Sequence, residues 1–164
     1  MVVQEKKTQG EIKIYDDLRK FNDACLNDPF PTRFSNEVPD NVKGHEAYSF
    51  IDGFQIYHQI RVSPEGQHKT MFGTKWGSYQ YIVVPFGLKN APAIFSRVVV
   101  ATFKDYIHKF VEVYFHDWTI FGLLRKHIGS SRRMFATYRQ YQISLNLKKC
   151  IFCVPFGILF ASKD

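Results

Sequence analysis

The sequence predicts an α+β fold, and three observations lead to that prediction. Short runs of β-branched and aromatic residues are separated by turn residues, which is typical of antiparallel hairpins. Two longer segments, about 90–107 and 126–141, have the length and the start signals of helices. With 164 residues, of which 45% are hydrophobic, the chain is large enough to bury a core. Strands that pair by hairpins, with helices set apart from them, indicate the α+β class.

The predicted strands follow one another in a regular order. A turn at Thr8-Gln9-Gly10 leads into a short run at Glu11–Tyr15, and Ala47–Asp52 reads as a buried strand. A hairpin surrounds Trp76-Gly77, and a second hairpin spans Val111–Gly122 with the polar pair His116-Asp117 at its turn. Further short strands close the chain at 145–147, 150–154 and 156–160.

The first helix is predicted to begin at Asn90, whose side chain is of the type that caps a helix, with Pro92 near the first turn. It is expected to end near Ile107 and to turn the run Val98–Val100 towards the core. The second helix is predicted from Lys126 to Tyr141.

Charge is distributed unevenly along the chain, whose formal net charge is +7. Residues 118–163 contain eight Lys/Arg and no acid, a pattern that favours a polyanionic partner such as nucleic acid. A solvated basic face is the alternative. Three cysteines form no disulfide framework, and Cys150-x-x-Cys153 lacks the second ligand pair of a zinc site. With no signal peptide and no apolar run near ~18 residues, an intracellular protein that does not span a membrane is expected, in either cytoplasm or nucleus.

Three blocks of sequence stand out, in the order Tyr48–Arg61, Trp76–Phe95 and Tyr114–Asp117. In this order they resemble the reverse transcriptase domain of gypsy-class retrotransposon polyproteins, particularly those of plants. Tyr114-Phe-His-Asp117 resembles the Tyr-x-Asp-Asp box of that family, with histidine in place of the first aspartate. Tyr48–Arg61 resembles the strand that carries the other metal-binding aspartate, and Trp76–Phe95 contains the Pro-Phe-Gly-Leu-x-Asn-Ala-Pro block. The resemblance runs from about Val3 to Leu159.

The resemblance implies the fingers and palm of a right-handed polymerase, with an antiparallel palm sheet and helices packed on one face. Fingers elements are expected at about 1–46 and 60–90, and the palm at about 47–59 and 91–164. The thumb is expected to be missing from these 164 residues.

The resemblance also implies two Mg²⁺ ions held by Asp52 and Asp117, with His116 at the position of a third carboxylate. Further residues are implied for the deoxynucleoside triphosphate: Lys13, Arg19, Phe86 and the sugar-contacting Tyr57. The RNA or DNA template-primer would meet basic residues: Lys69, Lys75, Arg125, Lys126, Arg132 and Arg133.

Two departures from the family pattern predict weak or absent catalysis. An imidazole at His116 brings no negative charge at pH 7 and suits transition metals better than Mg²⁺, so a loss of ~10³-fold or more in rate is expected. Ile56 stands where relatives have Gly or Ala and is expected to crowd the nucleotide pocket. The alternatives are a non-catalytic nucleic-acid-binding module, an inert relic of an element, or an active subunit that borrows a thumb from another chain.

Overall fold

The computed structural model describes residues 2–5, 12–15, 17–30, 42–114 and 117–155. Close contacts divide the chain into two units. The first unit groups residues 1–30 with 57–95, and the second groups 31–56 with 96–164. The mixture of helices and antiparallel sheets confirms the predicted α+β class. The assignment of fingers and palm to particular residues stays a prediction.

The first unit is built from two small antiparallel hairpins and short helices. Its strands and helices have these bounds: β1 Val2–Glu5, β2 Ile12–Tyr15, α1 Arg19–Ala24, α2 Pro64–Gln67, a 3₁₀ helix at His68–Thr70, β4 Phe72–Thr74 and β5 Gly77–Tyr79. Strand β1 pairs with β2, and β4 pairs with β5.

Two asparagine side chains tie distant segments of the first unit together. The Asn22 amide donates to the Gly87 carbonyl at 2.8 Å and accepts from the Lys89 amide at 2.8 Å. The Asn90 amide donates to the Leu26 carbonyl at 2.8 Å and accepts from the Asp28 amide at 3.1 Å. Asn90 also directly precedes the helix Ala91–Phe103, as predicted, and its carbonyl accepts the Ile94 amide at 3.0 Å. The side chain of this residue therefore holds the loop at 26–28 against the start of that helix.

The second unit contains a four-stranded antiparallel sheet. Its strands are β3 Ala47–Asp52, β6 Val111–Tyr114, β7 Asp117–Gly122 and β8 Ile151–Val154. They lie in the order β6-β7-β3-β8. Helix α4 spans Leu124–Gln140. Helix α3 spans Ala91–Phe103 and contributes its part from residue 96 onwards to this unit. The hairpin predicted at Val111–Gly122 and the helix predicted at 126–141 are confirmed.

Three aromatic rings form the centre of the second unit. Trp118 on β7 is 1% exposed and packs edge-to-face against Phe103, with ring centroids 5.9 Å apart. Tyr138 on α4 lies 5.5 Å from both rings. Such pairs add to the stability gained from burying the apolar area itself. Helix α4 turns one face inward, and its buried residues are His127, Met134, Thr137 and Tyr138.

Helix α3 differs from its prediction at its end and along its inner face. It ends at Phe103 instead of Ile107, since the chain turns and His108 adopts a left-handed backbone with φ of 64°. Of the predicted core run, Val99 is buried while Val98 and Val100 are exposed. Successive helical residues point about 100° apart, so three in a row cannot all face one core.

The last predicted strands also differ. Leu145 forms only an isolated bridge with Gly53, and Ile151–Val154 is the strand that joins the sheet. The strand predicted at 156–160 lies outside the described residues.

Ile56 is a core residue of the second unit, with 7% of its surface exposed. A Cβ atom added at Gly53 would collide with Cγ2 of Ile56 and would lie 2.7 Å from the Trp118 ring. The β-branched side chain thus fills space beside a glycine backbone. This burial does not support the expectation that Ile56 obstructs a nucleotide pocket.

Among the helices of the described ranges, none combines the length and the apolar character needed to cross a membrane.

Candidate functional site

Asp52 and Asp117 lie side by side where two neighbouring strands of the sheet end. Asp52 is the last residue of β3 and Asp117 the first of β7, and the two are direct cross-strand partners. Directly opposed residues have Cβ atoms ~4.5–5.5 Å apart and share one face of the sheet. Asp117 also pairs with Tyr114 of β6, so the register of three strands fixes its backbone. The two predicted carboxylates are therefore brought together.

The surroundings of Asp52 include two residues that the sequence did not single out for this site. The Nζ atom of Lys149 lies 3.7 Å from Oδ2 of Asp52, which is 6% exposed. The Asp52 amide donates to Sγ of Cys150 at 3.4 Å. Burial raises the pKa of the Cys150 thiol, and the charges of Asp52 and Asp117 act in the same direction. The thiol therefore stays protonated at neutral pH and is a poor soft ligand.

The chemistry of this donor set fits a hard divalent cation. Two carboxylates held together repel each other, and a bound cation relieves that repulsion. Mg²⁺ takes oxygen ligands and is commonly held by one or two carboxylates together with substrate phosphates. Within the described ranges, no group of three His, Cys, Asp or Glu residues is arranged to hold a metal ion. His116, the predicted third position, lies outside the described residues.

Two of the predicted nucleotide-binding residues meet in the first unit. The Tyr57 ring packs edge-on against Phe86, with centroids 5.4 Å apart, and against Phe95 at 6.0 Å. Partial burial raises the pKa of the Tyr57 hydroxyl, so it remains a neutral donor at physiological pH. The arrangement holds a flat ring in a fixed orientation while leaving part of it accessible.

The predicted phosphate contact of Arg19 has a competitor within the chain. Its Nε and Nη2 atoms donate to the two carboxylate oxygens of Asp17 at 2.8 and 2.6 Å. These hydrogen bonds hold the pKa of Asp17 well below its usual range and raise that of Arg19. A triphosphate would have to share the guanidinium group with Asp17. Lys13 pairs through its backbone with Gln4, and its side chain lies outside the described part.

All six residues predicted to meet nucleic acid are exposed: Lys69, Lys75, Arg125, Lys126, Arg132 and Arg133. On α4, Arg125, Arg132 and Arg139 recur every seven residues, so they lie along one stripe of the helix. A stripe of this kind offers several positive charges to a phosphate backbone at once.

Ser49 and His127 form a buried polar pair in the second unit that the sequence did not reveal. Oγ of Ser49 lies 2.7 Å from Nε2 of His127 and accepts the Cys153 amide at 3.0 Å. The other ring nitrogen of His127 is buried and has no hydrogen-bond partner among the described residues. Burial lowers the pKa of His127, and the pair has the character of a structural link between β3, β8 and α4.

His127 should make the fold sensitive to mild acid. A pKa lowered in the folded state means that the unfolded chain binds the proton more readily. The stabilisation of the folded state by neutral His127 is fully present above the pKa of ~6.5 that the residue has in the unfolded chain. It is lost as the pH falls through the lower pKa of the folded state. We expect the difference in free energy of unfolding between wild type and His127→Gln to shrink below pH ~6.5. Urea unfolding from pH 8 to pH 5 measures it, and a constant difference would contradict the assignment.

Comparison with known proteins assigns the chain to a family. The family model described as reverse transcriptase (RNA-dependent DNA polymerase) matches residues 5–160. The chain is 33% identical over 144 residues to the retrovirus-related Pol polyprotein from transposon 297 of Drosophila melanogaster, covering 87% of this chain and 14% of that protein. It is 30% identical over 137 residues to the corresponding polyprotein from transposon 412, covering 83% of this chain and 11% of that protein. The chain thus spans less than a fifth of these relatives.

Solved structures share the fold. The foamy viral protease-reverse transcriptase in complex with double-stranded DNA superposes with a TM-score of 0.81 at 20% identity, covering 92% of this chain and 26% of that one. The same viral protein in complex with an RNA/DNA hybrid gives a TM-score of 0.72 at 18% identity, covering 89% and 20%. At this identity, the likeness establishes the fold alone.

Proposed function

This chain belongs to the reverse transcriptase (RNA-dependent DNA polymerase) family, and from that premise we propose that it is the fingers-palm part of a gypsy-class retrotransposon polymerase whose nucleotidyl transfer is severely reduced. The similarity to Pol polyproteins of transposons 297, 412 and gypsy supports this class. The observation that carries the proposal is the direct cross-strand pairing of Asp52 with Asp117.

Asp52 and Asp117 would hold divalent metal, which when bound supplies electrostatic stabilisation to the attacking and leaving oxygens of an in-line displacement. The sheet contributes positioning, because both carboxylates project from backbone that is fixed by paired strands. Lys149 beside Asp52 contributes a positive charge at this edge of the sheet. In the first unit, the ring of Tyr57, braced by Phe86, is suited to contact a deoxyribose and to exclude a 2′-hydroxyl.

The proposed impairment rests on His116, where the family has a carboxylate. A neutral imidazole supplies no charge to offset bound dications and is a poor ligand for Mg²⁺. With two carboxylates in place of three, metal occupancy and rate should both fall.

Primer extension on the purified chain tests the proposal directly. We expect little or no nucleotide addition with Mg²⁺, with any residual addition larger with Mn²⁺, which accepts nitrogen ligands more readily. Addition at a rate typical of polymerases, abolished by Asp117→Ala, would contradict the impairment and leave the family assignment unchanged.

A second candidate function is a non-catalytic nucleic-acid-binding module. It is favoured by the acid-free stretch at 118–163 with its eight Lys/Arg and by the basic stripe on α4. This function needs no metal and would survive the loss of a ligand at His116. Binding without primer extension would support it.

Binding to nucleic acid should be strongly salt-dependent. Neutralised phosphates release counterions, so affinity for a blunt duplex should fall steeply between ~50 and ~200 mM salt. The double variant Arg125→Gln/Arg132→Gln should reduce the slope of log affinity against log salt by about 2, at about 1 per lost contact. Fluorescence anisotropy at several salt concentrations measures the slope.

The matched control for that experiment is Lys104→Gln/Lys109→Gln, which removes two exposed charges outside α4. An equal change in slope for both double variants would mean that binding depends on the net charge of the protein and not on the arginine stripe of α4. Affinity that is flat with salt would exclude phosphate contacts by the wild type.

A further inference from the structure

The tip of the β4–β5 hairpin carries an exposed tryptophan. Lys75 and Trp76 lie between the paired residues Thr74 and Gly77. Trp76 is 76% exposed, whereas the other tryptophan of the chain, Trp118, is 1% exposed. Tryptophan is enriched among the residues that contribute most to binding interfaces, because its large ring offers apolar contact area together with a hydrogen-bond donor.

The backbone at this tip is held in place. The Thr74 hydroxyl donates to the Gly77 carbonyl at 3.0 Å and accepts the Trp76 amide at 3.1 Å. Gly77 has φ of 136°, which residues with side chains rarely adopt, and so allows the chain to turn there. A presented ring on a fixed backbone loses little conformational freedom when it binds.

Aromatic rings continue along the hairpin. Phe72 and Tyr79 are cross-strand partners with stacked rings 6.1 Å apart, and Tyr81 lies 5.2 Å from Phe72. Tyr79 is half exposed. The hairpin therefore offers more than one flat surface.

Positive charge accompanies these rings. The Nζ atom of Lys75 lies 4.3 Å from the centroid of the Trp76 ring. Between Gly66 and Asn90 the chain has three lysines and no Asp or Glu. An apolar protein partner would not require this excess of lysines over acidic residues. Nucleic acid has bases that stack on aromatic rings and phosphates that attract lysines.

We propose that the β4–β5 hairpin binds an unpaired nucleic-acid strand, with a base stacked on Trp76 and a neighbouring phosphate beside Lys75. The inference deepens the proposed function and rests on it, since it names the part of the nucleic acid that this hairpin recognises. Stacking is tolerant of sequence because every base has a π-face, so little base preference is expected.

The test compares a single-stranded probe, dT20, with a blunt duplex and with the same duplex carrying an unpaired 5′ overhang. Trp76→Ala should weaken binding of dT20 by about 5- to 150-fold, the effect of losing one stacked base. It should remove the added affinity that the overhang gives and leave blunt-duplex binding unchanged. Trp76→Phe should retain most of the affinity, and Tyr141→Ala, which alters an exposed aromatic residue in the second unit, should change nothing.

Intrinsic fluorescence gives a second readout. Because Trp118 is buried, quenching on addition of dT20 reports Trp76 and should vanish in Trp76→Phe, although that variant still binds. Circular dichroism confirms equal folding of the variants.

Three results would overturn the proposal. The first is that Trp76→Ala binds dT20 as tightly as the wild type does and that dT20 does not quench the fluorescence of the wild type. The hairpin is then not the binding surface. Salt-dependent binding of the blunt duplex would still support the proposed function. If the wild type binds no nucleic acid at low salt, both proposals fail. If Trp76→Ala changes only self-association in sedimentation, the tip is a contact between copies of this chain.

Discussion

His116→Asp is expected to raise the rate of Mg²⁺-dependent nucleotide addition by ~10³-fold or more, equivalent to about 4 kcal/mol in the activation barrier. The substitution supplies a carboxylate next to Asp117, whose pairing with Asp52 already places two oxygen donors on neighbouring strands. Single-nucleotide addition to a labelled primer, measured at equal amounts of folded protein, reports the rate.

Three companion variants make the result specific. His116→Asn has nearly the shape of the aspartate without its charge and should not restore activity. Asp117→Ala added to His116→Asp should return the rate to background. Ile56→Gly added to His116→Asp should give no further gain and a less stable protein, since Ile56 is buried beside Gly53. A clear gain from Ile56→Gly would instead revive the predicted obstruction of the nucleotide pocket.

Trp118→Ala is expected to lower the free energy of unfolding by about 3–5 kcal/mol, a large part of the total for a domain of this size. The reason is the cavity left between Phe103 and Tyr138, whose rings both lie within 6 Å of the indole. Urea unfolding followed by far-UV circular dichroism measures the change.

Trp76→Ala is the matched control, because it makes the same chemical change at an exposed tip. Its effect should stay within ~0.5 kcal/mol. Equal destabilisation by the two substitutions would mean that the aromatic cluster around Trp118 does not form the core of the second unit.

The pairing of Asp52 with Asp117 could be anticipated from sequence because both lie at the ends of strands with strong local patterns. β-Branched and aromatic runs on both sides of a short turn largely determine a hairpin and its register. The second helix was found for a similar reason, since its start, length and periodicity are local properties.

Features that depend on distant segments could not be found in this way. Lys149 and Cys150 reach Asp52 from almost a hundred residues away, through the β3–β8 edge of the sheet. The helix start at Asn90 is a local signal and is confirmed, but the hydrogen bonds of its side chain to Leu26 and Asp28 depend on a distant segment and could not be predicted. The prediction for Ile56 comes from a family pattern, and that pattern could not show its packing beside Gly53.

The ladder between β6 and β7 runs from Val111 opposite Ile120 to Tyr114 opposite Asp117. Because these four pairs hold the hairpin together, a change of side chain at position 116 is expected to leave the sheet intact. If His116 removes catalysis as proposed, such a copy would still fold and could persist in a cell as an inert competitor for the nucleic acid that active copies use.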